Sequence, residues 1–207
     1  MGLKLFYVPF TRAGRARWML EELGVPYEIE KIDVKAKQNK TPEYLEKVHP
    51  LGHVPALRDS DNDVTMFESA AICMYLADKF PDKQLAPPVG TPARAHYYQW
   101  MVYSMSELEP TVTVLAGLNK VPEEQRDAAA VEAARGKFNN AASAIKRHLE
   151  ARAYEYMLGH EFTAVDVMTA GVLGWAKILG ALENQPELLA YVKRCTSRPA
   201  SQRSRAE

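Results

Sequence analysis

The sequence predicts an α/β segment of order βαβαββα followed by an all-α bundle. Three observations carry this reading. Over roughly the first eighty residues, short runs that alternate like strands ("LKLFYV", "PYEIEKID", "VPALRD", "VTMF") are separated by runs with helical spacing. The stretch "PDKQLAPPVGTP" then breaks that texture with proline and glycine. Beyond it the apolar residues recur only at helical spacing. The expected limits are 1–82 for the α/β domain, 83–91 for a linker and 92–207 for the helical domain.

Taken in order, "LKLFYV" is a strand stopped by Pro9, "FTRAG" a loop, and "RARWMLEELGV" a helix that ends at Gly24. With "PYEIEKID" as the next strand, the strand-helix-strand order predicts a parallel pair with a right-handed crossover. The Lys-rich "VKAKQNK" leads into a short helix, "TPEYLEKV", with Thr41 as cap and Pro42 in the first turn, where its missing N–H costs nothing. "VPALRD", the turn "SDND" and "VTMF" form a hairpin, and "ESAAICMYLADKF" is a helix with Ala70, Cys73, Met74 and Ala77 on one face. The second half offers "ARAHYYQWMVYSMSELEPTVTVLAGL", "PEEQRDAAAVEAARGKFNNAASAIKRHLEAR", "TAVDVMTAGVLGWAKILGAL" and "PELLAYVKRC" as helices. "FTAVDV" reads as a capping-box variant, Thr163 as N-cap with Asp166 three residues on, stabilising the helix by about 1 kcal/mol.

A chain of 207 residues with 47% apolar content can bury a sizeable core. Basic and acidic residues balance at 26 each, so net charge draws the protein toward neither nucleic acid nor a membrane surface, and its ligand is expected in a pocket. "MGLKLFYVPF" lacks a basic n-region and a long apolar h-region, which argues against secretion and mitochondrial import, and no apolar run reaches bilayer length. Cys73 and Cys195 give neither a disulfide framework nor metal-ligand spacing, so a reducing cytoplasm is the expected compartment. His96, His148 and His160 lack i, i+4 metal-type partners, and His49, with His53 four residues on, reads as a surface or core residue rather than a ligand, so no metal is expected. Tyr97, Tyr98, Trp100 and Tyr103 read as core, with one edge available to an apolar pocket.

Three places in the first domain admit two readings each. Pro55, after the turn "LGHV", is either an edge-strand device or a cis bond that bends the backbone, and the residues by themselves favour the edge. Glu68 and Ser69 stand where a strand gives way to a helix. They are either a cap, with Ser69 accepting a first-turn N–H, or a ligand pair, with Ser69 and open amides taking a carboxylate and Glu68 an amine. Thr11, ahead of a helix N-terminus, is a turn residue or a donor to a bound anion. A thiolate suits that place, since helix N-termini and cations such as Arg12 or Arg15 lower thiol pKa values.

In this order, "PFTRAGRARWMLEELGVPYE", "HPLGHVPAL", "FESAAICMYLADKF", a proline-rich linker and "FTAVDVMTA" resemble a cytosolic glutathione transferase of the bacterial type with a Ser/Thr-like loop. The resemblance runs from about Leu3 to the last helix. It implies a thioredoxin-like N-terminal domain, a helical C-terminal domain, a homodimer, and glutathione as co-substrate with no metal. It implies that Pro55 is the family's cis-proline, that Val54 pairs its backbone with the cysteinyl part of glutathione, and that Glu68 and Ser69 hold the γ-glutamyl end. It places His53 toward the glycyl carboxylate. Thr11 falls where bacterial relatives carry the residue facing the sulfur, with Arg12 as neighbouring donor. Tyr7 resembles the tyrosine that another branch uses. Because the helix begins just after "TRAG", Thr11 is preferred.

The implied activity is conjugation of the glutathione thiolate to a small electrophile, a detoxification chemistry. A free thiol titrates near 8.5, so lowering it by two units contributes about 2.7 kcal/mol toward the reactive form. The alternatives are glutathione-dependent reduction of peroxides or disulfides, and a non-catalytic binding protein that keeps the fold.

Overall fold

The alternation in "LKLFY" becomes the strand from which the first unit is built. The computed structural model describes residues 2–206. Its contacts divide them into one unit running through Gln84 and resuming at Arg198, and a second, Leu85–Ser197. In the first, β1 (Leu3–Tyr7) leads to α1 (Ala13–Leu23), which stops where Gly24 takes φ 64° and donates its N–H to the Leu20 carbonyl. β2 (Tyr27–Lys31) then pairs with β1 in parallel, as the crossover rule requires. α2 (Pro42–Lys47) is capped by the Thr41 hydroxyl, which accepts the Tyr44 N–H at 3.3 Å. β3 (Ala56–Asp59) and β4 (Val64–Phe67) form the hairpin, and α3 (Ser69–Lys79) follows.

The four strands stand in the order β2-β1-β3-β4, with β3 antiparallel to both neighbours. This corrects the edge reading of Pro55: the strand it precedes is internal, and the Val54–Pro55 bond is cis. The buried face of α3 is also turned from the expected one. Ser69, Ile72, Cys73, Leu76 and Ala77 point inward, while Ala70 and Met74 are half-buried. Helical periodicity admits two neighbouring stripes here, and packing against α1 selects this one; the Cys73 thiol lies 3.9 Å from the Arg15 carbonyl.

The second unit is helical throughout its main elements: α4 (Pro92–Tyr103), α5 (Glu109–Leu118), α6 (Ala128–Arg152), α7 (Ala164–Ile178) and α8 (Pro186–Thr196). The segment read as one long helix is divided by a π-helical turn at Ser104–Leu108, just before Pro110. Proline has no N–H to return to the preceding turn, so the regular ladder cannot run through it. A short helix absent from the sequence reading, α9 (Pro199–Arg203), closes the described chain. The segment from Arg198 groups with the first unit, whereas the helical domain was expected to continue to the end. Its Arg198 guanidinium forks onto both carboxylate oxygens of Glu22 at 2.8 Å, and Arg203 reaches Glu21 at 2.8 Å.

Asp166 exceeds its predicted part. Its fully buried carboxylate accepts the N–H groups of Met157 (2.8 Å) and Thr163 (2.9 Å), and the hydroxyls of Thr163 (3.1 Å) and Tyr191 (2.8 Å). Burial pushes the carboxyl up to about 6, and the four donors work against that rise. Replacing it strands two amides and two hydroxyls in the interior. Asp166→Ala is therefore expected to cost roughly 3 kcal/mol or more, well beyond a surface cap, read as a lower urea midpoint for helical-unit signals.

Candidate functional site

The strand register converges on one end of the sheet. Phe6 lies opposite Ala56, and Ala56 opposite Phe67. One step further along the same register come Tyr7, Pro55 and Glu68, so the residues picked out in three separate segments fall in one row. α1 and α3 both start from this end, each after the strand that finishes there. Two helix N-termini directed at one place favour an anion.

Between β2 and β3 the segment leading to Pro55 is tied down from several sides. Gly52 takes φ 63°, and its carbonyl accepts from the Asn39 side-chain amide at 2.7 Å. The Lys40 ammonium bonds the Leu51 carbonyl at 2.8 Å, and the Tyr44 hydroxyl bonds the His53 carbonyl at 2.9 Å. Burial, then the charge of Glu30, raises that phenol to about 12, so it stays a donor. Val54 packs with Val8 against a cluster of Phe6, Ile32, Tyr44 and Ala56. Its own N–H and C=O make no hydrogen bond among the described residues. Pro55 offers no N–H to the ladder, so pairing stops at Ala56 and leaves the Val54 backbone open to an extended ligand. His53 is exposed.

At the β4–α3 junction the capping account does not hold. Glu68 is the N-cap residue, at φ 71° and ψ 114°, and no side chain caps the helix. Ser69 is the first helical residue, only 3% exposed, and its hydroxyl bonds nothing among the described residues. The Glu68 carboxylate likewise enters no hydrogen bond or ion pair among them, and its backbone sits where non-glycine residues are rare. An open carboxylate, an open hydroxyl and uncapped first-turn amides together suit a zwitterion, its amine on Glu68 and its carboxylate on Ser69 and the helix end.

α1 is different. The Thr11 hydroxyl donates to the Val8 carbonyl at 2.7 Å and accepts the Ala13 N–H at 3.2 Å. The Gly14 and Arg15 amides return to the Thr11 and Arg12 carbonyls at 3.0 and 3.2 Å. The first-turn amides expected to face a ligand are thus used inside the turn. Thr11 and Arg12 are exposed, and Phe10 before them is fully so. Tyr7 is buried, with the Arg17 guanidinium 5.3 Å from its ring centre.

Gly52, Asn39, Tyr44 and His49 were not read as site residues. Only "LGHV" hinted at one of them, since a glycine there signals a turn; the others act through tertiary contacts with no local signature. Cys73 is no nucleophile, because burial pushes its thiol up to about 12 against the charge of Arg15. Among the described residues no group of acidic, His or Cys side chains is arranged to hold a metal, and no helix is long and apolar enough to cross a membrane.

Comparison with known proteins matches the model of the glutathione S-transferase N-terminal domain to residues 11–79, and that of the C-terminal domain to residues 95–199. Glutathione S-transferase GstA of Escherichia coli O157:H7 is 29% identical over 201 residues, covering 97% of this chain and 96% of its own. GstB of Escherichia coli K12 is 30% identical over 193 residues, covering 92% and 90%. Among solved structures, a glutathione transferase from Methylococcus capsulatus strain Bath superposes with a TM-score of 0.84 at 30% identity over 98% of this chain and 97% of that one. A family member from Pseudomonas fluorescens Pf-5, solved with two glutathione bound, gives 0.87 at 27% identity over 98% and 92%.

A Cβ on Gly52 would stand 2.2 Å from the Asn39 carbonyl, at a positive φ besides. Gly52→Ala is expected to destabilise the first unit by roughly 2 kcal/mol or more and to weaken ligand binding at the Val54 segment. Chemical denaturation alongside calorimetric titration measures both.

Proposed function

Since this chain belongs to the glutathione S-transferase family, we propose that the sheet end built by Tyr7, Pro55 and Glu68 binds glutathione and presents its thiolate to a small electrophile. The observation that carries the reading is the set of open groups along that row. Glu68 takes the γ-glutamyl amine, Ser69 and the α3 amides its carboxylate, and the Val54 backbone pairs with the cysteinyl residue beside Pro55. His53 reaches toward the glycyl carboxylate. The protein works in this reading as a cytoplasmic homodimer, with glutathione as its co-substrate.

The sulfur then faces the exposed turn at Thr11 and Arg12. To donate to it, the Thr11 hydroxyl exchanges the Val8 carbonyl for the thiolate, giving up a neutral hydrogen bond of about 1 kcal/mol for a charge-assisted one of about 1.5–3 kcal/mol. Arg12 and the positive end of α1 add to the thiolate's stabilisation. The burial of Tyr7 beside Arg17 supports Thr11 over Tyr7 in this role. A second reading, a binding protein without catalysis, draws on one observation: the Thr11 proton and the α1 amides are already engaged.

Calorimetric titration is expected to give glutathione binding that weakens roughly tenfold or more in Glu68→Gln and about fivefold in Ser69→Ala. Absence of binding at millimolar glutathione sinks the proposal. The pKa of the bound thiol, followed by thiolate absorbance, is expected to rise by about one unit in Thr11→Ala and by less in Tyr7→Phe. Binding with an unshifted thiol, and no turnover of an aromatic halide or a hydroperoxide, selects the second reading.

A further inference from the structure

One buried imidazole stands behind both halves of this site. His49 is 4% exposed and follows α2, its N–H bonded to the Tyr44 carbonyl at 2.9 Å and its carbonyl accepting the Gly52 N–H at 2.8 Å. Its Nδ1 accepts the Leu51 N–H at 3.1 Å. A nitrogen that accepts carries no proton, so the neutral ring has its proton on Nε2. The ring lies 4.5 Å from that of Phe67 and 5.2 Å from that of His53, centre to centre. Phe67 immediately precedes Glu68, and His53 immediately precedes Val54. The imidazole therefore touches the residue before each of the two proposed binding segments.

We propose that His49 is a positioning residue that keeps the Val54 and Glu68 segments aligned only while its ring is neutral, so that glutathione affinity falls on mild acidification. The inference rests on the glutathione reading above. Protonation of Nδ1 sets an N–H against the Leu51 N–H, and the tie across the Leu51–Gly52 turn is lost. One such bond is worth about 1 kcal/mol, or roughly fivefold in affinity. The groups facing His49 mostly oppose its charge. Burial lowers its pKa, as do His53 and Lys40, while Glu68 and its own carbonyl pull the other way. With the folded value below the ordinary one, the stabilisation is complete above the ordinary histidine range and is lost as pH falls through the lowered value. Free glutathione hardly titrates there, since its amine and thiol lie near 8 or above and its carboxylates below about 4.

A charge on His53 acts with the opposite sign, because a cation there strengthens a hold on a carboxylate. Calorimetric titration with glutathione is therefore run in a His53→Gln background between about pH 7.5 and 5. The dissociation constant is expected to rise roughly fivefold across that range. Adding His49→Asn, whose amide oxygen can still accept the Leu51 N–H but does not titrate, is expected to flatten the profile. Adding His49→Phe is expected to bring the loss in already at the upper pH. A flat profile before His49 is changed, or an unaltered slope in His49→Asn, overturns the role given to His49 while leaving the glutathione reading intact. No binding at the upper pH in the unsubstituted protein overturns the reading itself, and this inference with it.

Discussion

The antiparallel register of β3 between β1 and β4 is the constraint on which the candidate site depends. Because Ala56 pairs with both Phe6 and Phe67, the ends of two strands and the start of a third meet at one level. Sliding β3 by one residue would turn its whole buried face to the other side of the sheet, so the hydrophobic pattern that fixes the core also fixes the site. Pro55 ends the ladder by lacking a donor, and the chain beyond it is held by Asn39, Lys40 and Tyr44 rather than by strand pairing. Rigid support of this kind lets the Val54 backbone remain open without collapsing onto its neighbours.

The two helix N-termini at this level have been given different tasks by their sequences. α3 begins without a capping side chain and keeps its first-turn amides, Ser69 and Glu68 uncommitted. α1 begins with Thr11 closing its own turn. A zwitterionic ligand as proposed would gain hydrogen bonds of about 1 kcal/mol each from these open groups. At α1 the balance would be nearer, because a ligand there would have to displace the Thr11–Val8 bond. In the proposed reading, chemistry at sulfur would turn on a small difference between neutral and charge-assisted hydrogen bonding.

Outside the site, polar groups anchor each unit in its own way. In the helical unit, Asp166 joins the start of α7 to Met157 and to Tyr191 of α8. In the first unit, the tail is tied to α1 by two arginines of unequal value. Glu22 is nearly buried and also accepts the Trp18 indole N–H, so its fork with Arg198 is held in one geometry. The Arg203–Glu21 pair is more exposed and more easily screened.

Local sequence carries neither the break between α4 and α5 nor α9, but it does carry the succession of strands and helices from β1 to α3, Thr41 as the cap of α2, the pairing of Thr163 with Asp166, and the positions where the chain departs from ordinary strand or helix chemistry. Those are local matters of periodicity, capping and proline geometry, carried by neighbouring residues. Tertiary structure decided what the departures mean. Pro55 stands before an internal strand, Ser69 is a buried helical residue and no cap, and the Thr11 proton is engaged with Val8. The roles of Gly52, Tyr44 and His49 arise from contacts between segments that the chain order keeps apart. Which hydrogen bonds stay open depends on what the register brings opposite each group, and a single stretch of sequence holds no record of its partner across the sheet.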